Sequence, residues 1–256
     1  CVALDGLPLA LELAAARAHE IDPGELLRQI VSTRSRSMLS STLLQQTKRN
    51  IAERHRTLRD AIAWSYRLLT PDQQAVFMRL GVIVGGCTLQ AAQIICGADL
   101  ASLQTLAAAS LLHIETDSSE GRVTMLETLH SFALEQLIAA NLLTALQHTH
   151  AVYFAEYVET IYVEVRGEQQ SHWLAQTRLD HDNFRSALRF ALEQDDSDIA
   201  VAIAGGLWWF WYRQGFLLEG RQWLDASLHC PVKLALTEIQ KRKRAIALNG
   251  AGAMAC

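Results

Sequence analysis

The chain is poor in proline, with four among 256 residues, and its fourteen glycines are few. So few breakers exclude long disordered tracts and argue against a turn-rich all-β fold. Its five cysteines (Cys1, Cys87, Cys96, Cys230 and Cys256) are odd in number and form no C-x-x-C pair. That usage reads as free buried thiols in a reducing cytosol. The longest apolar run, Ile199 to Tyr212, is fourteen residues, too short to span a bilayer. No secretory or transit leader is present, so the expectation is a cytoplasmic location without membrane contact. No G-x-x-x-x-G-K-[ST] loop occurs anywhere. Without such backbone amides and a lysine to hold phosphates, hydrolysis of a nucleotide has no electrostatic basis, and the chain is not expected to be an enzyme. Net charge is only −4, so no overall basic excess points to nucleic acid. No metal constellation stands out, because His148 and His150, two apart on a helix, point to different faces. No Ser/His/Asp or Cys/His catalytic arrangement stands out either.

What remains is half apolar residues in helical periodicity. Gly6-Leu7-Pro8 is a turn opening into a helix to His19, with proline at a position where its missing N–H costs nothing. Asp22-Pro23 starts a second helix, to Val31. Residues 32–54 are polar and aperiodic and read as a loop. Thr57 is placed as the cap of a helix Leu58–Leu69, whose Leu58, Ala61, Ile62, Ser65, Leu68 and Leu69 share one face. Helices Asp72–Leu80, Leu89–Cys96 (capped by Thr88) and Leu100–Ser110 follow. Leu111–Thr116 and Arg122–Leu126 alternate like strands around a turn, Asp117-Ser-Ser-Glu-Gly121, with glycine for a left-handed position. A helix then covers Glu127–Ala140. Helices, a hairpin and a further helix form the order of a winged helix. From Leu143 onward the pattern predicts helices over 143–165, 168–195, 198–214, 215–229 and 233–256. The last, with small residues through Ala245–Ala255, resembles the first helix of a tetratricopeptide repeat. Because a lone repeat cannot bury its own face, further repeats are expected to follow it.

Four stretches carry a family resemblance. Gly6-Leu-Pro-Leu-Ala-Leu-Glu-Leu-Ala-Ala-Ala16 resembles the "GLPLA" motif of STAND-class signalling ATPases, which include the NB-ARC proteins. Arg54-His-Arg-Thr-Leu-Arg-Asp-Ala-Ile-Ala-Trp-Ser-Tyr-Arg-Leu-Leu69 is similar to the "RHRTLR…WSY.LL" signature of their bacterial regulators. Asp72–Leu80 with Gly85–Ala92 resembles the continuation of that signature, and Thr124–Ala133 resembles the winged-helix end, "MLET…YA". Leu179–Arg189 and Trp208–Leu228 are more loosely similar to the helical-repeat start. The resemblance implies a helical domain over 1–53 that follows an upstream ATPase core, a winged helix over 54–140 and an α-helical repeat region over 141–256. It further implies the regulatory part of a nucleotide-dependent switch, with ATP or ADP bound only in the intact protein. The implied partners are the upstream core and an unknown ligand or protein on the repeats. A helical-repeat scaffold without nucleotide linkage is the alternative.

The resemblance puts Gly6, Leu7 and Pro8 on the adenine side of a nucleotide site. Physics alone makes the same turn an ordinary helix start. Met125-Leu126-Glu127 stands where relatives carry Met-His-Asp. Leucine cannot donate a hydrogen bond to phosphate, and Glu127 keeps the acidic position. Arg34, Arg36, Lys48, Arg49, Arg54, Arg56 and Arg59 form a basic stretch whose one acidic member is Glu53. A solvated surface is its ordinary reading. Arg54 and Arg56, at the hinge between two domains, are the candidates for phosphate or interdomain contact. Leu89–Ser110 holds no Lys or Arg, so this winged helix lacks the groups that neutralise DNA phosphates and read base edges. The run Leu207-Trp-Trp-Phe-Trp-Tyr212 reads as core shared between packed helices, or else as an aromatic interface surface.

Overall fold

The computed structural model describes residues 7–18, 22, 24–25, 28, 49–115, 121–232 and 235–255, with backbone alone for Arg17 and 49–57. The chain is mainly α-helical with a small β-hairpin. Among the described residues, helices run over Pro8–Arg17 (α1), Arg49–Arg67 (α2), Pro71–Arg79 (α3), Leu89–Cys96 (α4), Leu100–Ala108 (α5) and Glu127–Ala139 (α6). They continue as Leu143–Glu164 (α7), Gln170–Leu179 (α8), His181–Glu193 (α9), Ser197–Gln214 (α10), Leu217–His229 (α11) and Glu238–Ala253 (α12). Short strands lie at Cys87–Thr88 (β1), His113–Glu115 (β2) and Arg122–Thr124 (β3). Contacts divide the chain into two compact units, one of Cys1–Gly81 with Cys96–Ala139, the other of Val82–Ile95 with Ala140–Cys256.

Local chemistry explains many of the boundaries. Pro8 occupies the first turn of α1 after an extended Leu7. Thr70 and Gln73 form a reciprocal capping box on α3, which satisfies two donors at the helix start. The Thr88 hydroxyl accepts from the Ala91 N–H, and the Asp99 carboxylate caps α5 through Ser102. Gly215, at φ +78°, closes α10 in the left-handed conformation.

Two expected boundaries are corrected. Helix α2 begins at Arg49, inside the expected loop, and passes through Thr57, which is therefore not its cap. Arg49–Arg56 contains no Gly or Pro, and an interior threonine costs only a few tenths of a kcal/mol. The cap signal loses to the helix formers on both sides. The single helix expected over 168–195 is two, α8 and α9, joined at Asp180 (φ −99°, ψ 5°). Asp180 is buried, its N–H bonds back to the Gln176 carbonyl and its own carbonyl takes the Phe184 N–H. The ladder is nearly continuous across the break, so the apolar period hides it. The helix expected over Pro23–Val31 and the hairpin turn at 116–120 lie largely or wholly outside the described residues.

In the first unit, α1 packs on α2, α2 and α3 pack on α6, and α3 packs on α5. Tyr66, Phe77 and Phe132 join these helices in an aromatic triangle with ring centroids 5.5, 5.6 and 6.4 Å apart. A Cβ on Gly81 would lie 2.6 Å from the Leu134 backbone nitrogen, so only glycine lets the end of α3 meet α6. The hairpin pairs His113 with Thr124, Ile114 with Val123 and Glu115 with Arg122, and Gly121 takes the left-handed conformation at φ +61°.

The second unit is built around α10, which packs against α7, α9, α11 and α12. Ile199–Trp208, Phe210 and Trp211 are all buried. The aromatic run is thus mainly core shared among neighbours, with Tyr212 left 48% exposed. Helices α10 and α12 run in the same direction. Asp198 bonds Gln240 across 42 residues, and the same offset relates the close contacts of Gly205 with Ala247 and of Trp208 with Gly250. A constant offset is what two parallel packed helices show, and 42 residues is longer than the roughly 34 of a tetratricopeptide unit.

Candidate functional site

In the first unit the sequence singled out the start of α1, the arginines of α2 and the start of α6. Pro8 is exposed at the head of α1, with Leu7 half-buried beside it, while Gly6 lies outside the described residues. Arg54 and Arg56 lie within α2, but their side chains are outside what is described. Glu127 is the exposed first residue of α6, where a carboxylate complements the positive helix end. It lines an open groove of about 250 Å³ between α2 and α6, together with Leu58, Arg59, Thr128, Phe132 and Glu135. The preceding Leu126 is 57% exposed.

Arg59 was one member of the basic stretch. In the structure its guanidinium grips Glu135 at 2.8 and 2.6 Å and lies 6.0 Å from the Phe132 ring centre. The hydrogen bond to Glu135 holds the Arg59 pKa above its ordinary value, against the smaller opposing effect of burial. Sequence reading missed this pair because its halves are 76 residues apart. The groove therefore presents one committed cation, two carboxylates and the hydroxyls of Thr128 and Ser131 over an apolar floor.

In the second unit the start of α9 forms a buried polar hub. Asn183 is fully buried. Its Oδ1 accepts the Val84 N–H at 2.8 Å and lies 3.2 Å from His150 Nε2. Its Nδ2 donates to the Gly86 carbonyl at 2.8 Å. Since Oδ1 can only accept, His150 carries its proton on Nε2. Burial pushes the His150 pKa down to about 4, with the Asn183 hydrogen bond opposing it in part.

Two residues away, the His181 ring accepts the Trp211 indole N–H at 3.1 Å and lies 3.4 Å from Glu219. Burial lowers the His181 pKa, reinforced by the positive Arg185 and opposed by Glu219 and Asp182. Arg185 forks onto Glu219 with two 2.6 Å bonds and reaches Asp182 at 2.7 Å. The hydrogen bond from Arg185 keeps the Glu219 pKa below the usual carboxylate range. Thus the stretch Leu179–Arg189 ties α9 to α10 and α11 and to the loop before β1. Its sequence offered polar residues in a helical pattern but not their partners, which lie 30 to 99 residues away.

Among the described residues, no three His, Cys, Asp or Glu side chains are grouped to hold a metal ion, and no single helix is long and apolar enough to cross a membrane. Cys87, Cys96 and Cys230 are buried thiols.

No family model matches the chain. It is 30% identical over 236 residues to a protein of Mycobacterium tuberculosis (strain ATCC 25618 / H37Rv) named "Putative HTH-type transcriptional regulator". A protein of the same name in Mycobacterium bovis matches equally, and each alignment covers 89% of this chain but 26% of the relative. A second Mycobacterium tuberculosis protein, named only as uncharacterized, is 34% identical over 146 residues, 54% of this chain and 35% of that protein. The chain thus spans about a quarter of the length of the regulators it matches. Most of its own length is related to part of proteins that carry a transcriptional-regulator name.

Proposed function

We propose that this chain is the regulatory part of a STAND-class transcriptional regulator, coupling the nucleotide state of an ATPase core to a helical-repeat sensor. The supporting observation is the relationship over nine-tenths of the chain to proteins named as transcriptional regulators, in a chain that carries the Gly6-Leu-Pro8 turn and the Arg54–Leu69 signature. In this reading the exposed Pro8 ring forms one wall for an adenine base. Glu127 and the α2–α6 groove face the core, and the units at either end of the chain respond to nucleotide and to ligand. A switch of this kind needs contacts that differ between two states.

The residues fit the base better than the phosphates. Pro8 is exposed and rigid. Leu126 cannot donate to a phosphate, and Arg59 is already committed to Glu135. The phosphates therefore fall to the upstream core, which supplies the P-loop chemistry that this chain lacks. DNA contact falls to another part of the longer protein, because α4 and α5 carry no Lys or Arg. The protein is read as cytoplasmic, and this part of it as without enzymatic activity.

A repeat scaffold without nucleotide linkage is the competing reading, favoured by the 42-residue register of α10 and α12. The two readings separate on a protein extended upstream of Cys1. The switch reading expects a Walker A loop there and ADP binding that falls about tenfold, near 1.4 kcal/mol, in Pro8→Ala. Unchanged affinity in that variant overturns the adenine contact.

A further inference from the structure

In the second unit one ring nitrogen is claimed by two partners. His181 opens α9 and is 5% exposed. Its Nε2 accepts the Trp211 indole N–H at 3.1 Å and lies 3.4 Å from Glu219 Oε1. These contacts need opposite states of the same nitrogen. A bare Nε2 accepts from the indole, which can only donate. A protonated Nε2 donates to the carboxylate, which can only accept. Trp211 belongs to α10 and Glu219 to α11. The state of His181 therefore selects which of the two helices α9 holds through this ring.

The surroundings make that choice costly to evade. Trp211 is fully buried, so water cannot replace a lost acceptor. A Cβ on Gly220 would lie 2.8 Å from Trp211 Cβ and 2.9 Å from its Cε3, so α11 presses on the indole and restricts its turning. A buried donor left without an acceptor costs more than an ordinary hydrogen bond contributes. Glu219 is held in place by two 2.6 Å bonds from Arg185 and one of 3.2 Å from Trp223. The Phe210 and Phe216 ring centres each lie 5.0 Å from that of His181. Of the charged groups around the ring, Glu219 of α11 and Asp182 of α9 favour its cation, whereas Arg185 of α9 and Arg178 of α8 oppose it. The buried Asp180 precedes it in the chain, α10 presents Trp211 and Phe210, and His150 of α7 lies across Asn183. Burial, reinforced by Arg185, holds the His181 pKa below 6.5, so at neutral pH the indole bond is the one made.

We propose that His181 is a proton-operated switch between two helix pairings within the second unit. With Nε2 bare, it ties α9 to α10 through Trp211. With Nε2 protonated from water, and Nδ1 keeping its own proton, it ties α9 to α11 through Glu219 and gives up the indole. The exchange proceeds as pH falls below about 6.5. Helix α10 packs against α7, α9, α11 and α12, so loosening its anchor at Trp211 acts on the centre of the unit. The inference does not rest on the nucleotide reading and is tested on this chain alone.

The test is nitrogen-resolved NMR of the histidine rings and indole N–H groups of the 256-residue chain between pH 4 and 8, with His181→Gln and Trp211→Phe assigning the two resonances. At pH 7.5 His181 should be the Nδ1–H tautomer, opposite to His150. The Trp211 indole resonance should move with the midpoint of His181. Trp211→Phe removes the bond that favours the neutral ring and should raise that midpoint. Glu219→Gln removes the carboxylate that favours the cation and should lower it, each by at least about half a pH unit. A histidine kept neutral by burial alone would show no such opposed shifts. The proposal is overturned by an Nε2–H tautomer at pH 7.5, or by an indole resonance that stays fixed while His181 titrates. It is also overturned if Glu219→Gln leaves the midpoint unchanged or raises it, or if the unit unfolds before His181 takes up its proton.

Discussion

Protonation of His150 should weaken the second unit of this protein in a defined pH window. The ring is 1% exposed, sits 4.7 Å from the Phe154 ring, and has its pKa pushed down to about 4 in the folded state, against 6.5 for the ordinary group. A depressed histidine pKa means that the unfolded chain binds the proton first. Stability is therefore complete above about pH 6.5, falls as pH drops through the window, and stops falling near pH 4. The slope approaches 1.4 kcal/mol per pH unit, and the whole loss is about 3 kcal/mol. Urea unfolding followed by tryptophan fluorescence between pH 4 and 8 measures it, since five of the six tryptophans lie in the second unit. The control is His150→Phe, which keeps an aromatic ring beside Phe154 and leaves Asn183 Oδ1 with the Val84 N–H. Carboxylates titrate alike in both proteins, so the difference between the two curves isolates His150. Parallel curves over pH 4.5–6.5 would refute the reasoning.

Other substitutions separate structural from surface roles. Asn183→Ala removes one hydrogen bond each from the Val84 N–H, the Gly86 carbonyl and His150. It should destabilise by about 2–5 kcal/mol and speed hydrogen exchange at residues 84–86. Gly206→Ala should cost about 1–3 kcal/mol through overpacking against Val158, and adding Val158→Ala should recover part of it in the same denaturation assay. Glu135→Ala breaks a pair whose side chains are 59% and 45% exposed. It should lower stability by less than about 1 kcal/mol, and by less still in 1 M salt. Gel-shift titration of residues 54–140 with duplex DNA should show no salt-dependent retention, because α4 and α5 offer no cation.

Local signals carried much of the fold into the sequence. Thr88 announced its helix through capping chemistry, Gly121 announced the hairpin turn, and the apolar period located α7, α10 and α11 nearly to the residue. Thr57 misled because a β-branched residue can cap a helix or sit inside one. Asp180 escaped notice because its break keeps the hydrogen-bond ladder almost whole. The candidate sites were less legible. Leu7, Pro8 and Glu127 are places on surfaces, and a resemblance to known switches singled them out. Asn183, His150 and Arg59 draw their roles from partners far away in the chain, such as Glu135 for Arg59 and Val84 for Asn183. No window of neighbouring residues encodes such a pairing.

The central claim is that the first unit reads the nucleotide state of an upstream core. Hydrogen exchange on the protein extended upstream of Cys1, with and without ADP, tests it most directly. The account predicts slower exchange on ADP addition at the head of α1, residues 9–11, and at the head of α6, residues 126–130, with Pro8→Ala removing the effect at α1. Identical exchange at both places, in a protein shown by calorimetry to bind ADP, would contradict it.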